Sequence, residues 1–260
     1  MRDCREEWYD GEKKVAVTLV DVTSAAQELA RGHLSGPTAA HYLTEALAVA
    51  ALLGGETSAA DETVSVQMKC SGPLGGYNVE CTAQGTLRGY TERKVLDGFD
   101  GLGRPDDRMA LGDRQIQVTH SVPGRILSQG ISTSFDGYLA GSLQRKACLR
   151  VEASVSDEVE ILEARGILVE DLPDAQGPLV CTHVDEPKSM AVSSRRLLHQ
   201  LGLERAELRR STPLKFACRC SPGRARAMLA ALSAEERREL PPSIDVTCHM
   251  CGKTFTVKTK

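Results

Sequence analysis

Apolar residues alternate at Val15, Val17 and Leu19, and the chain then passes Asp21, Thr23 and Ser24 into an Ala-rich stretch, which predicts a strand feeding a helix that ends near Arg31-Gly32. A second helix is predicted from Ser35 or Thr38, with Pro37 in its first turn, to Leu53, where Gly54-Gly55 stops it; its apolar content marks it as core. Val64, Val66, Met68 and Cys70 then share one strand face, as do Tyr77, Val79, Cys81 and Ala83, with Ser71-Gly72-Pro73-Leu74-Gly75-Gly76 between them as a hairpin turn. Thr86 to Thr91 extends this to a meander. The Gly- and Asp-rich run between Leu96 and Gly112 predicts an exposed loop, and Gln115 to Val118 resumes a strand. Phe135, Tyr138, Leu139 and Leu143 recur at helical spacing over Phe135 to Lys146, and strands are predicted from Cys148 to Val155 and from Val159 to Val169. Residues 1–175 therefore read as an α+β core with a mainly antiparallel sheet.

Pro173, Pro178 and Pro187 punctuate the next stretch, and residues 176–212 read as a helical linker whose segment Ser193 to Leu208 carries Leu197, Leu198, Leu201 and Leu208 without an obvious partner. Residues 213–260 form a third unit. Ser221 is a candidate N-cap ahead of Pro222, Met228, Leu229 and Leu232 make an apolar stripe, and Ser233 with Glu236 resembles a capping box. Ile244, Val246, Phe255 and Val257 predict a closing hairpin.

Length and charge refine this division. A chain of 260 residues, 41% hydrophobic, has room for one good core and a small second unit. Its strongest apolar stretch, Leu43 to Leu53, is about half of what a membrane span needs and contains Thr44 and Glu45, so no membrane association is expected. The N-terminal MRDCREEWYDGEKK lacks the apolar core of a secretory signal, which points to the reducing cytosol. From Arg205 to Lys260 there are 12 Lys+Arg against 5 Asp+Glu, or +7; the remaining 20 against 30 give −10, matching the total of −3. The tail could therefore touch nucleic acid or dock on an acidic body.

Nine cysteines in a reducing compartment call for metal binding, redox chemistry or burial rather than a disulfide scaffold. Cys218-Arg219-Cys220 and Cys248-His249-Met250-Cys251-Gly252-Lys253 stand 27 residues apart, two close pairs of the kind that gives zinc four thiolates at about 2.3 Å. Gly252 permits the left-handed turn of a zinc knuckle. A unit this small cannot build much core unaided, so one Zn2+ would be its main stabiliser, worth roughly 10–16 kcal/mol. The pairs alone leave open a static zinc ribbon, a nucleic-acid-binding ribbon using Arg219, Arg224, Arg226, Lys253 and Lys258, and a dithiol oxidoreductase built on Cys248 and Cys251. Phe255 as the ribbon's lone aromatic argues against base stacking, and the CxxC pair lacks a strand-to-helix setting. Cys70, Cys81, Cys148 and Cys181 read as buried small hydrophobes. Cys4 reads as a reactive thiol in a mobile terminus and His249 as a solvent-facing loop residue, while His33, His41, His120, His183 and His199 show no metal spacing. No nucleotide-binding glycine loop or nucleophile motif is present, so no enzyme activity is expected.

The ordered pair Cys-x-Cys and Cys-x-x-Cys near the C-terminus is similar to that of the heat-shock protein 33 family of redox-regulated holdase chaperones. Three further motifs resemble the family's: Ser71 to Gly76 its Gly-Pro-Leu-Gly-Gly turn, Pro123-Gly124-Arg125 with Gln129-Gly130 its mid-domain motif, and Arg165-Gly166-Ile167-Leu168-Val169 its Gly-Ile-Leu-Val strand. Ser142-Leu143-Gln144 departs from its usual Ser-Glu-Gln, and the link to the zinc unit looks shorter than usual. The resemblance implies an ATP-independent chaperone, with Cys218, Cys220, Cys248 and Cys251 holding zinc when reduced. It further implies that oxidation pairs Cys218 with Cys220 and Cys248 with Cys251, releases zinc, disorders the zinc unit and linker, and uncovers apolar surface that binds unfolding proteins. A homodimer is implied for the oxidised form, and no nucleic-acid partner.

Overall fold

The predominantly apolar run of the second predicted helix sets the architecture. In a computed structural model, which describes residues 3–103, 105–175 and 192–259, helix α2 (Pro37–Leu53) is buried from Thr38 to Leu53 save for Glu45. A helix apolar on every side belongs in the middle of a core, and α2 packs against strands of two sheets. The first is wholly antiparallel, in the order β10 (Glu207–Pro213), β1 (Cys4–Asp10), β2 (Val15–Asp21), β9 (Ile161–Asp171), β8 (Lys146–Val155). The second runs β11 (Lys215–Phe216), β5 (Thr86–Thr91), β4 (Gly76–Thr82), β3 (Thr63–Cys70), β6 (Arg114–Val122), β7 (Arg125–Ser132), with only β11 parallel to its neighbour. Gly166 on β9 lets the Leu52 side chain approach; a Cβ there would lie 2.9 Å from Leu52 Cδ1.

Helix α1 (Thr23–His33) has no cap of its own at Val22. The carboxylate of Asp3 accepts from the amides of Ser24 (2.9 Å) and Ala25 (2.6 Å), so the chain's N-terminal segment closes the helix start. At the other end Leu34 adopts φ 54°, a left-handed residue that terminates the helix. Short helices α3 (Asp107–Ala110) and α4 (Phe135–Gly137) sit in the connections, and α5 (Ser194–Gln200), α6 (Pro222–Ala230) and α7 (Ala234–Glu239) follow. Strands β12 (Ser243–Thr247) and β13 (Thr254–Lys258) make the terminal hairpin.

The structure shows the expected α+β class and departs from the sequence reading in several places. The polar N-terminus is strand β1, paired on both sides; Arg5, Trp8 and Asp10 are buried, while Glu6 and Glu7 are half-buried. The Gly/Asp-rich run is anchored rather than wholly exposed: Leu96, Ala110 and Leu111 are buried, and α3 lies within it. The helix over Phe135 to Lys146 is one turn followed by a wide turn at Tyr138–Ser142, because Lys146 already begins β8. Strand β7, exposed on an edge, had no apolar alternation to reveal it.

The helical segment Ser193 to Leu208 is shorter than predicted and does have a partner. Gly202, at φ 70°, ends it, and Leu208 falls in β10. Leu197, Leu198, Leu201 and Leu203 cover the outer face of the first sheet, against Trp8, Val17 and Ile167 among others. Arg195 stacks its guanidinium over Trp8 at 4.6 Å. Among the described residues no helix is long and apolar enough to cross a membrane.

Candidate metal centre

Two strand ends bring the four cysteines together. Strand β11 lies along β5, with the amide of Lys215 donating to the Gly85 carbonyl (3.0 Å) and that of Ala217 to Leu87 (3.1 Å), which delivers Cys218 and Cys220 to the edge of the second sheet. Cys248 and Cys251 occupy the turn between β12 and β13. There the Cys248 amide donates to Lys253 (2.9 Å), and the Gly252 amide returns to Cys248 (2.8 Å) at φ 71°. Four ligand sulfurs, one from each cysteine, lie within 4.8 Å of one another. Cys218 and Cys248 are 3.8 Å apart, Cys220 and Cys251 3.5 Å. A tetrahedron with metal–sulfur bonds of about 2.3 Å has edges of about 3.8 Å, so the four thiols fit a zinc-type ion by donor set and spacing.

The surroundings favour negative sulfur at Cys218. Arg88 reaches to 4.0 Å from Cys218 Sγ while pairing with Glu80 at 2.6 Å, and Arg219 approaches the same carboxylate at 3.7 Å. Burial opposes ionisation of Cys218, but hydrogen bonds from the Cys220 backbone, the Cys251 and Cys220 thiols and the Arg88 guanidinium outweigh it and bring the metal-free thiol down to about 7. Burial and the neighbouring sulfurs push Cys220 and Cys251 up. Cys218 therefore ionises before Cys220 and Cys251.

The knuckle is seated on the core rather than hanging from it. Gly252 faces the last turn of α1 so closely that a Cβ would overlap the Gly32 carbonyl, and a Cβ on Gly32 would sit 2.7 Å from the Cys251 oxygen. Cys251 is buried within the main core cluster. The Gly89 amide on β5 donates to the Met250 carbonyl (3.1 Å), the buried His33 imidazole bonds the Gly89 carbonyl (2.8 Å), and the exposed His249 meets Tyr90 edge to face at 5.7 Å.

Expected helix starts are present in the same unit. Ser221 accepts from the Arg224 amide, and Ser233 and Glu236 form the capping box. The apolar stripe is only partly covered: Met228 is exposed, Leu229 and Leu232 are half-buried, and Ala225 is the buried residue of α6. Of the basic candidates, Arg219 is engaged by Glu80 and Lys253 lies over the Phe255 ring. Cys81 is fully buried with its thiol pushed up to about 11 by that burial, and the half-buried Cys70 is raised for the same reason. Cys4 is no loose reactive thiol; it lies in β1, and burial followed by the nearby Glu6, Asp21 and Asp3 charges raises it. Cys148 is buried on β8 and disulfide-bonded, where burial alone was expected. Cys181 and His183 lie outside the described residues. His41 bonds Glu45 and His120 bonds Glu62, both away from the sulfurs. Arg88 and Gly89 were not singled out by sequence, and Gly32 only as a helix end: a strand arginine and two glycines carry no spacing signal for a metal site, whereas Gly252 did.

This arrangement, an α+β body of two largely antiparallel sheets with a four-thiol unit docked on one sheet edge, defines a mixed-sheet protein with a site able to hold a metal ion. The family model described as Hsp33 protein matches residues 8–258. A 33 kDa chaperonin of Thermus thermophilus is 29% identical over 92% of this chain and 79% of its own length, and that of Bacillus licheniformis 26% over 95% and 92%. The crystal structure of the Thermotoga maritima 33 kDa chaperonin superposes with a TM-score of 0.85 at 17% identity, covering 100% of this chain and 96% of that one. The chain belongs to the Hsp33 family of chaperones.

Proposed function

We propose that the protein is a redox-regulated, ATP-independent holdase acting in the cytoplasm, with Cys218, Cys220, Cys248 and Cys251 as both the ligands of one Zn2+ and its switch. The observation that carries this reading is the convergence of four sulfurs, one of them readily ionised, on a unit docked against a body whose apolar sheet face is covered by the segment that holds α5. When bound, zinc supplies charge neutralisation that keeps all four sulfurs as thiolates. A thiolate such as Cys218 attacks one peroxide oxygen, giving a sulfenic acid and, after protonation, water. Its partner thiolate then displaces hydroxide to form the disulfide. Two such events consume two peroxides and four electrons, and no ligand remains.

Sequence-local pairing, Cys218 with Cys220 and Cys248 with Cys251, is the outcome we favour, because loss of the metal frees the 27-residue connection and leaves only near neighbours at high effective concentration. The unit 213–260 then loses its main stabiliser, the linker 176–212 follows, and Trp8, Val17 and Ile167 on the core 1–175 become available to unfolding client proteins. Removal of the cover also leaves a face through which the oxidised form would pair as a homodimer. Zinc release, measured with a chromogenic chelator, and suppression of citrate synthase light scattering are expected to rise together on oxidation. Retained zinc binding and oxidant response in a Cys248→Ser, Cys251→Ser variant would refute the assignment. A static ribbon, the alternative, predicts zinc binding without any redox dependence of client capture.

A further inference from the structure

Strand β5 is the outermost long strand of the second sheet, and its outer edge is occupied by the zinc unit and, at the Gly89 carbonyl, by His33 of α1. Its inner groups pair with β4, so residues 85, 87 and 89 turn their backbone outward, as an antiparallel ladder requires. All three are taken. Gly85 and Leu87 accept from Lys215 and Ala217, Gly89 donates to Met250, and the Gly89 carbonyl is held by His33. The segment that lies on this edge is itself extended, with Leu214 buried and Phe216 half-buried at alternate positions against the main core cluster. It pairs with β5 in register, Lys215 opposite Thr86 and Phe216 opposite Leu87.

We infer that the β5 edge is a strand-addition site for client polypeptide, and that Leu214 to Ala217 occupies it as an internal pseudo-client while zinc is bound. The inference rests on the functional reading above, in which oxidation disorders the zinc unit. Once that unit leaves, the edge presents unpaired backbone groups beside the apolar positions vacated by Leu214 and Phe216. An unfolding protein supplies both complements in one element: an extended backbone for the ladder and apolar side chains at every second residue. The site recognises main chain rather than sequence, which suits a chaperone that must hold many clients. It is separate from the outer face of the first sheet, since β5 belongs to the other sheet.

The Gly89 amide reports directly on the edge, and the Val79 amide, on the interior strand β4, reports on the sheet itself. Hydrogen exchange of the full-length protein is measured in three states: reduced with zinc, oxidised, and oxidised with guanidinium-unfolded citrate synthase. Gly89 is expected to be protected in the first, to exchange on the order of 100-fold faster in the second, and to regain protection in the third, with Val79 protected throughout. Client capture without renewed protection of Gly89 overturns the inference while leaving the holdase reading intact. So does a Gly89 that stays protected after oxidation, or a Val79 that loses protection with it, since no free edge then exists. Absence of any client capture by the oxidised protein defeats the functional reading, and the strand-addition site falls with it.

Discussion

Leu198 and Leu203 are the two most deeply buried leucines of the segment that covers the first sheet, at 1% and 0% exposure, and both lie in the cluster with Trp8 and Ile167. Replacing a buried leucine by alanine costs about 2–5 kcal/mol, and two in one cluster do not add fully, so about 4 kcal/mol is a fair expectation for the double variant. At about 1.4 kcal/mol per decade this shifts the covered-to-uncovered equilibrium roughly a thousandfold. The sulfurs belong to the other cluster, so the four-thiol site is expected to keep its ligands and to load with zinc when the metal is saturating. The reduced, zinc-loaded Leu198→Ala, Leu203→Ala protein should therefore suppress citrate synthase aggregation without oxidant, and limited proteolysis should cut residues 192–206 much faster than in the parent. Leu208→Ala, at a position 44% exposed in β10, serves as a control that changes little. A double variant that is cut rapidly, keeps its zinc and still fails to hold client would show that the covered sheet face is not where clients bind.

Peptide mapping after peroxide treatment should find Cys218 joined to Cys220 and Cys248 to Cys251. Recovery of Cys218–Cys248 and Cys220–Cys251 instead, the pairs 3.8 and 3.5 Å apart in the folded unit, would mean that oxidation precedes unfolding. Gly252→Ala forces a Cβ into the Gly32 carbonyl at a left-handed φ, so zinc affinity measured against a chelator should fall at least about tenfold, and an unchanged affinity would dissolve the seat. Burial opposes ionisation of Glu62, yet hydrogen bonds from His120, Ser58 and Ala59 hold its carboxyl at about 2 against an ordinary 4.5. That gap is worth roughly 3 kcal/mol, present above pH 4.5 and lost as the pH falls towards 2. Urea midpoints of Glu62→Gln should thus lie below the parent's at neutral pH and converge with them in acid, and parallel curves would contradict the assignment.

What the sequence disclosed tracks its periodicities. Helix α2 was visible because nearly every side chain is apolar, the β3–β4 hairpin because its turn is Gly-Pro-Leu-Gly-Gly, and the four sulfurs because cysteine pairs at such spacing have few other uses. Strand β1 was hidden: CREEWYD places Glu and Arg beside Trp8, and only long-range pairing with β2 and β10 makes it a strand. The partner of α5 was hidden for a related reason, since the complementary face is assembled from residues 8, 17, 167 and 169, which no local window joins. The seat of the knuckle likewise required the fold, because it is made of main-chain atoms at Gly32, Gly89 and Met250, and main chain leaves no trace in composition.

Metal unit and linker are not independent covers, because one extended run from Glu207 to Phe216 serves both sheets. Its first part, β10, pairs with β1 on the first sheet; beyond Pro213 only Leu214 intervenes before the chain is on the second, as β11 against β5. At the crossing point the Leu214 amide donates to the Asp3 carbonyl (3.0 Å), and the Asp3 carboxylate caps α1, whose far end carries the Gly32 seat of Cys251 and Gly252. The closure is a loop: sulfurs to α1, α1 to Asp3, Asp3 to Leu214, Leu214 to the cysteines again. Loss of order at the sulfurs removes the anchor from one end of the 207–216 run and the load from one end of α1 at the same time. Under the proposed switch, a body thus connected would carry loss of order from one sheet edge to the apolar face beneath α5 through hydrogen bonds already in place, with no second sensor required.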